Sequence, residues 1–187
     1  MKEKGHPKKG LIYLAGFMGS GKSTIGPILA NTLGFEFVDL DKFVEQKAGK
    51  KIKEIFATDG EQAFRTIERA SLVEVSGRTE CVVSLGGGTI ANEENFRLIR
   101  DSGVIVYLQL SPEEIAQRVH HRTDRPLLTA PDGNKLSPEE IQQRVGDLLM
   151  KREQFYSRAD VIIQADRKRV GATVDEIVRR LRGFIDA

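Results

Sequence analysis

The chain has 187 residues, 40% of them apolar, with 29 basic and 27 acidic side chains and a formal charge of +2. That is enough apolar material for a core, while no apolar run reaches the roughly 20 residues of a membrane-spanning helix. Near-balanced charge argues against a dedicated nucleic-acid binder, the single Cys81 excludes an internal disulfide, and the charged segment Met1–Gly10 lacks the apolar stretch of a secretion signal.

The expectation is a disordered tail over residues 1–10, one domain over 11–187, and a reducing, cytoplasmic setting. Leu11–Ala15 is an apolar run that reads as a buried strand. Gly16-Phe17-Met18-Gly19-Ser20-Gly21-Lys22-Ser23 follows directly, and a helix over about 22–33, ended by Gly34, comes next. Strand, G-x-x-x-x-G-K-S and helix in that order form a phosphate-binding P-loop. Its glycines let successive N–H groups face one concavity, and the helix adds the positive end of its dipole. Gly19, Ser20, Gly21 and Thr24 belong to this cradle. Lys22 supplies a mobile charge for the outer phosphates, and the Ser23 hydroxyl suits Mg²⁺. The chain therefore binds a nucleoside triphosphate. Pro27 inside the helix cannot donate to the Ser23 carbonyl, which predicts a kink or a rearranged turn.

Glu36–Asp39 reads as a second strand, with Asp39-Leu40-Asp41 at its end. In extended backbone, positions i and i+2 face the same side. Two carboxylates there can divide the work, one toward a metal and one toward an acceptor hydroxyl. Asp41 reads equally well as the cap of a helix over 41–48. Helices over about 52–57 and 60–76 follow, with Glu61, Arg65 and Glu68 on one face, where a surface ion-pair ladder is the plain reading. Cys81–Ser84 is the third strand, and Gly86-Gly87-Gly88 after it offers unobstructed backbone to a close ligand.

Further helices fit about 93–101, 111–120, 137–155 and 173–185, and strands fit Val104–Leu108 and Asp160–Gln164. Short apolar strands alternating with helices predict an α/β fold, a parallel sheet of about five strands covered by helices on both faces. Between the helices, Arg122–Leu136 carries two prolines and a glycine, and reads as a mobile lid.

The P-loop Gly16–Thr24, Asp39-Leu40-Asp41, Gly60-Glu61 with Phe64-Arg65 and Glu68, the triple glycine, Arg125-Pro126-Leu127-Leu128, and Arg152-Glu153 with Tyr156 and Ala159-Asp160 together resemble the shikimate kinase family. The resemblance runs from about Leu11 to beyond Ala172. It implies a P-loop kinase-like fold and transfer of phosphate from ATP, with Mg²⁺, to the 3-hydroxyl of shikimate. It matches Asp39 to an acid near the metal, and Asp41 to the acid that meets the ring hydroxyls and acts as base. Arg65 and Arg152 match arginines that hold the shikimate carboxylate, and Gly86, Gly87 and Gly88 match a turn against the substrate. Arg125 matches the lid arginine that reaches the phosphates, and Arg167 a basic residue packed on adenine. ATP and shikimate are the implied partners, with no nucleic acid, no membrane and a monomeric chain expected. On the residues alone, two other readings stand beside it: a kinase of another small hydroxy acid such as gluconate, and a nucleotide-binding module without catalysis.

Overall fold

A computed structural model describes residues 10–120, 136–166 and 168–185. The tail before Gly10, Arg125 with nearly all of the Arg122–Leu136 segment, and Arg167 lie outside the described residues. Five parallel strands, β1 (Leu11–Ala15), β2 (Glu36–Asp39), β3 (Cys81–Ser84), β4 (Val104–Gln109) and β5 (Val161–Gln164), form one sheet in the order β2-β3-β1-β4-β5. Among the described residues the helices are α1 (Lys22–Leu33), α2 (Leu40–Ala48), α3 (Ile52–Thr58), α4 (Gly60–Ser76), α5 (Glu93–Ser102), α6 (Pro112–His120), α7 (Pro138–Tyr156) and α8 (Val170–Leu181).

Side-chain alternation along β1 builds the layers. Ile12 and Leu14 face one side, packing with Ile25 and Leu29 of α1 and Val174, Ile177 and Leu181 of α8. Leu11, Tyr13 and Ala15 face the other, packing with Leu72 of α4, Phe96 of α5, Ile115 of α6 and Val145 of α7. A smaller cluster of Val44, Ile55 and Phe64 joins α2, α3 and α4 beside the sheet. Register sets Leu11 of β1 opposite Cys81 of β3, and Ile12 opposite Val104 of β4. All strand C-terminal ends therefore meet on one rim.

Most element bounds fall within one residue of the sequence expectation, and α8 departs further. The last helix begins at Val170 and ends at Leu181, not 173–185. Gly171 is tolerated in its first turn, where the Thr173 N–H already donates to the Arg169 carbonyl at 3.1 Å. At the far end Phe184 and Ile185 both donate to the Leu181 carbonyl, so Ile185 is buried by a turn and not by helix. Asp160 lies outside β5 because its carboxylate accepts the Ile105 N–H at 2.8 Å.

Helix α1 is continuous through Pro27, so the expected rearranged turn is absent from it. The residue before a proline is normally pushed out of helical backbone by its own Cβ, and Gly26 has none. Gly26 also lets α1 approach β2: a Cβ there would lie 2.3 Å from Phe37 Cε2. Overpacking of this kind costs about 1–3 kcal/mol, against about 1 kcal/mol of helix propensity gained. Gly26→Ala is therefore expected to lower stability in urea unfolding, and to lower it less in a Phe37→Leu background.

Candidate active site

The P-loop leaves β1 through Gly16, whose φ of 150° and crowded surroundings exclude a side chain: a Cβ would lie 2.6 Å from Ser20 Oγ and 2.8 Å from the Leu108 carbonyl oxygen. Gly21 caps α1 in left-handed backbone, and among the described residues no side chain makes a cap hydrogen bond there. Lys22 is 9% exposed, and its Nζ donates to the carbonyls of Gly16 and Phe17 at 2.8 and 3.1 Å. The loop thus holds its own lysine at the mouth of a cleft of about 300 Å³ lined by Gly19–Ile25. Asp39, Asp41, Ser84 and Gly87 form one wall, and Arg118, Ala165, Lys168, Val170 and Thr173 the other. Arg118 anchors to the loop, its Nη1 donating to the Gly19 carbonyl at 3.2 Å.

Asp39 and Asp41 reach this cleft by a different route from the expected one. The strand ends at Asp39, and Leu40 already opens α2, so strand alternation does not relate the two carboxylates. The capping role falls to Asp39, whose Oδ1 accepts the Lys42 N–H at 3.3 Å. Asp41 sits in the first turn, where the helix dipole favours its charge. The Asp41 cap reading is thereby corrected: the change from strand to helix comes one residue sooner than alternation implied.

A second cleft, of about 200 Å³, opens on the other side of Asp41. Ile52, Phe56 and Phe64 give it an apolar side, and Glu61, Arg65, Glu68, Gly86–Gly88 and Arg152 a polar one. Arg65 pairs with Glu61 at 3.1 Å and Glu68 at 2.8 Å. This is the expected ladder with one difference: Glu68 is buried, and its other oxygen accepts from Thr89 Oγ1 at 2.6 Å. The guanidinium is directed from beneath by a fully engaged carboxylate. Gly86, Gly87 and Gly88 need no positive φ; their requirement is space. A Cβ on Gly86 would lie 2.6 Å from Asp41 Oδ1, and one on Gly87 3.2 Å from Arg152 Nη1. The Arg152 guanidinium lies over the Phe17 ring, 5.2 Å from its centroid, and its buried Nη1 has no hydrogen-bond partner among the described residues.

Lys22, Ser23, Thr24, Asp39, Asp41, Arg65, Gly86–Gly88 and Arg152 thus gather on one rim, with Gly19, Ser20 and Gly21. Arg125 and Arg167 lie outside the described residues. The sequence reading gave no role to Arg118, Lys168, Thr89 or Tyr156, the last of which it used only as part of a motif. Lys168 had a signal, since it sits in the basic cluster Arg167-Lys168-Arg169. Tyr156 is buried, and its hydroxyl donates to the Gly87 carbonyl at 2.8 Å. Burial pushes its phenol up to about 12, so it stays protonated as a donor at neutral pH.

A five-stranded parallel sheet with a P-loop at its central strand and a second cleft beside the phosphate cradle defines a P-loop kinase. The shikimate kinase family model matches residues 18–182, and the chain belongs to the shikimate kinase family. It is 54% identical to the shikimate kinase of Chlorobaculum tepidum over 94% of this chain and 92% of that one. Among solved structures it resembles shikimate kinase from Acinetobacter baumannii in complex with shikimate, with a TM-score of 0.82 and 34% identity over 91% of this chain and 92% of that one. A gluconokinase from Sinorhizobium meliloti shares the fold at a TM-score of 0.58 and 19% identity, covering 94% of this chain and 93% of that one.

The Thr89–Glu68 bond yields a test of the scaffold. Thr89→Val keeps the shape but withdraws a donor from a buried carboxylate, at a cost of about 1–3 kcal/mol. Urea unfolding is expected to register that loss, and Thr89→Ser to restore most of it.

Proposed function

We propose that this kinase transfers the γ-phosphoryl group of ATP to the 3-hydroxyl of shikimate, giving ADP and shikimate 3-phosphate. The observation that carries the reading is a shared wall: Met18, Asp41 and Gly87 line both clefts. A phosphate cradled by Gly19–Thr24 and an acceptor seated between Arg65 and Arg152 would meet beside the Asp41 carboxylate. The acceptor oxygen bonds to the γ-phosphorus as the bond to the β,γ-bridging oxygen breaks, and Asp41 orients the hydroxyl and receives its proton. Lys22 turns from the P-loop carbonyls to the phosphate oxygens. Arg65 and Arg152 take the planar carboxylate of shikimate, for which guanidinium forks suit. The apolar side formed by Ile52, Phe56 and Phe64 faces the ring carbons.

The Ser23 hydroxyl and Asp39 carboxylate are hard oxygen donors on the nucleotide cleft, a set that fits Mg²⁺. Among the described residues no group of three His, Cys, Asp or Glu side chains offers a protein-only metal cage, which fits an ion shared with phosphates and water. When bound, Mg²⁺ supplies charge neutralisation on the phosphate oxygens. From the family resemblance alone, we also propose Arg125 for the phosphates and Arg167 for the adenine, both outside the described residues.

We read residues 11–187 as one domain acting as a monomer. Among the described residues, the exposed large apolar side chains Ile28, Val73, Met150 and Val170 fall on four different helices, which supports that reading. No helix among the described residues is long and apolar enough to cross a membrane. Use of ATP and a buried free thiol at Cys81 fit a cytoplasmic setting.

Coupled ADP release with shikimate, its carboxamide analogue, gluconate and no acceptor tests the reading. Turnover is expected with shikimate and little elsewhere. Comparable rates with gluconate would overturn the acceptor assignment. Removing one charge-assisted contact costs about 1.5–3 kcal/mol, so Arg65→Ala and Arg152→Ala are each expected to raise the shikimate KM roughly 10- to 150-fold. Asp41→Asn keeps the side chain's size while α2 retains its Asp39 cap. A near-normal melting temperature with turnover down by about 10²-fold or more is expected, and retention of most activity at saturating shikimate would remove Asp41 from the chemistry.

A further inference from the structure

We propose that Tyr156 is a positioning residue for acceptor binding, its hydroxyl setting the Gly87–Gly88 peptide against Arg152. The proposal rests on the acceptor reading above, in which Arg65 and Arg152 hold a carboxylate. Tyr156 reaches across 69 residues of sequence to donate to the Gly87 carbonyl at 2.8 Å. Its ring is 0% exposed and stacks on Tyr107, with centroids 4.6 Å apart and planes 15° apart. A ring packed on that scale has little freedom, so the hydroxyl is a fixed point behind the turn.

The described backbone contains no cis peptide bond. In a planar trans peptide the N–H points opposite to the carbonyl, so holding the Gly87 oxygen also sets the direction of the Gly88 N–H. The same peptide fills the space between the two guanidinium groups. A Cβ on Gly87 would lie 3.2 Å from Arg152 Nη1, and one on Gly88 3.5 Å from both terminal nitrogens of Arg65. Rotation of the peptide would therefore change the donor direction and the room left for a carboxylate together. Arg152 and Tyr156 stand four residues apart on α7, on one helical face. One turn of helix thus places an arginine and fixes the loop that the arginine packs against. Tyr156 contributes no atom to the lining of either cleft; it acts through the turn and through the Arg152 guanidinium, which also faces its hydroxyl.

Tyr156→Phe keeps the stacked ring and removes only the hydroxyl. The shikimate KM is expected to rise about five- to tenfold, the scale of one neutral hydrogen bond, with kcat and the MgATP KM within about twofold of wild type. Tyr107→Phe, which loses a hydroxyl from the same stack, is expected to change neither KM. On an Arg152→Ala background, Tyr156→Phe is expected to add little. An unchanged shikimate KM in Tyr156→Phe, while Arg152→Ala raises it, overturns the proposal and leaves the acceptor reading standing. Equal rises in both KM values, a matching effect from Tyr107→Phe, or a Tyr156→Phe chain that does not fold overturns it too, since the hydroxyl would then serve the scaffold in general. If Arg152→Ala leaves the shikimate KM unchanged, the carboxylate reading fails and the proposal falls with it.

Discussion

Five parallel strands in one sheet bring every strand's C-terminal end to the same rim, and the chemistry of this protein depends on that constraint. The P-loop follows β1, Asp39 ends β2, the glycine turn follows β3, and Ala165 follows β5. Each would be a commonplace loop feature alone. Brought to one edge, they build two clefts with a common wall at Met18, Asp41 and Gly87. A nucleotide and a carboxylate acceptor are both anions, so such a wall is useful only if cations surround it. The helices supply them, Lys22 from α1, Arg65 from α4 and Arg152 from α7.

Three cations gathered in a small volume repel one another, and the fold restrains each by a different means. Lys22 donates to the backbone carbonyls of Gly16 and Phe17. Arg65 is held by carboxylates, the buried Glu68 among them, which keep its charge favoured despite partial burial. Arg152 is held by an aromatic face and by the glycine turn, with Nη1 unpartnered among the described residues. Preorganisation of this kind lowers the reorganisation left for the reaction itself.

How much of this the sequence disclosed follows from the range of each interaction. β1, β2 and β3 were legible to the residue because apolar runs end abruptly at Gly16, Asp39 and Ser84. The P-loop was legible because strand, turn and helix are contiguous. The Asp39–Asp41 pair was seen as functional but its backbone was misjudged, since the period changes from two to 3.6 inside the motif itself. Gly171 hid the first turn of α8, because glycine's low helix propensity outweighed a local pattern that the tertiary packing of Val174 and Ile177 overrides. The roles of Thr89 and Tyr156 were beyond reach. Their partners lie 21 and 69 residues away, and only the completed sheet brings them together. Glycine at 86–88 was legible as a composition but not as a cause. The glycines are there for Asp41 and Arg152, which occupy the space a side chain would take.

Phe17 joins the two halves of the site. Its carbonyl accepts Lys22 Nζ at 3.1 Å, while its ring, 1% exposed, lies under the Arg152 guanidinium. Lys22 belongs to the nucleotide cleft and Arg152 to the acceptor cleft, so one residue of the P-loop bears on a cation of each. Favourable cation–π contact depends on the ring's position beneath the charge, and the ring's position depends on the loop backbone that the lysine braces. A P-loop is commonly regarded as a phosphate cradle alone. In this chain its second residue also forms the floor beneath Arg152, and in the function proposed above the same backbone receives the triphosphate. In that reading, phosphoryl donor and acceptor are located from one short stretch of chain. That shortens the path over which errors in relative position can accumulate, in a reaction whose rate depends chiefly on alignment.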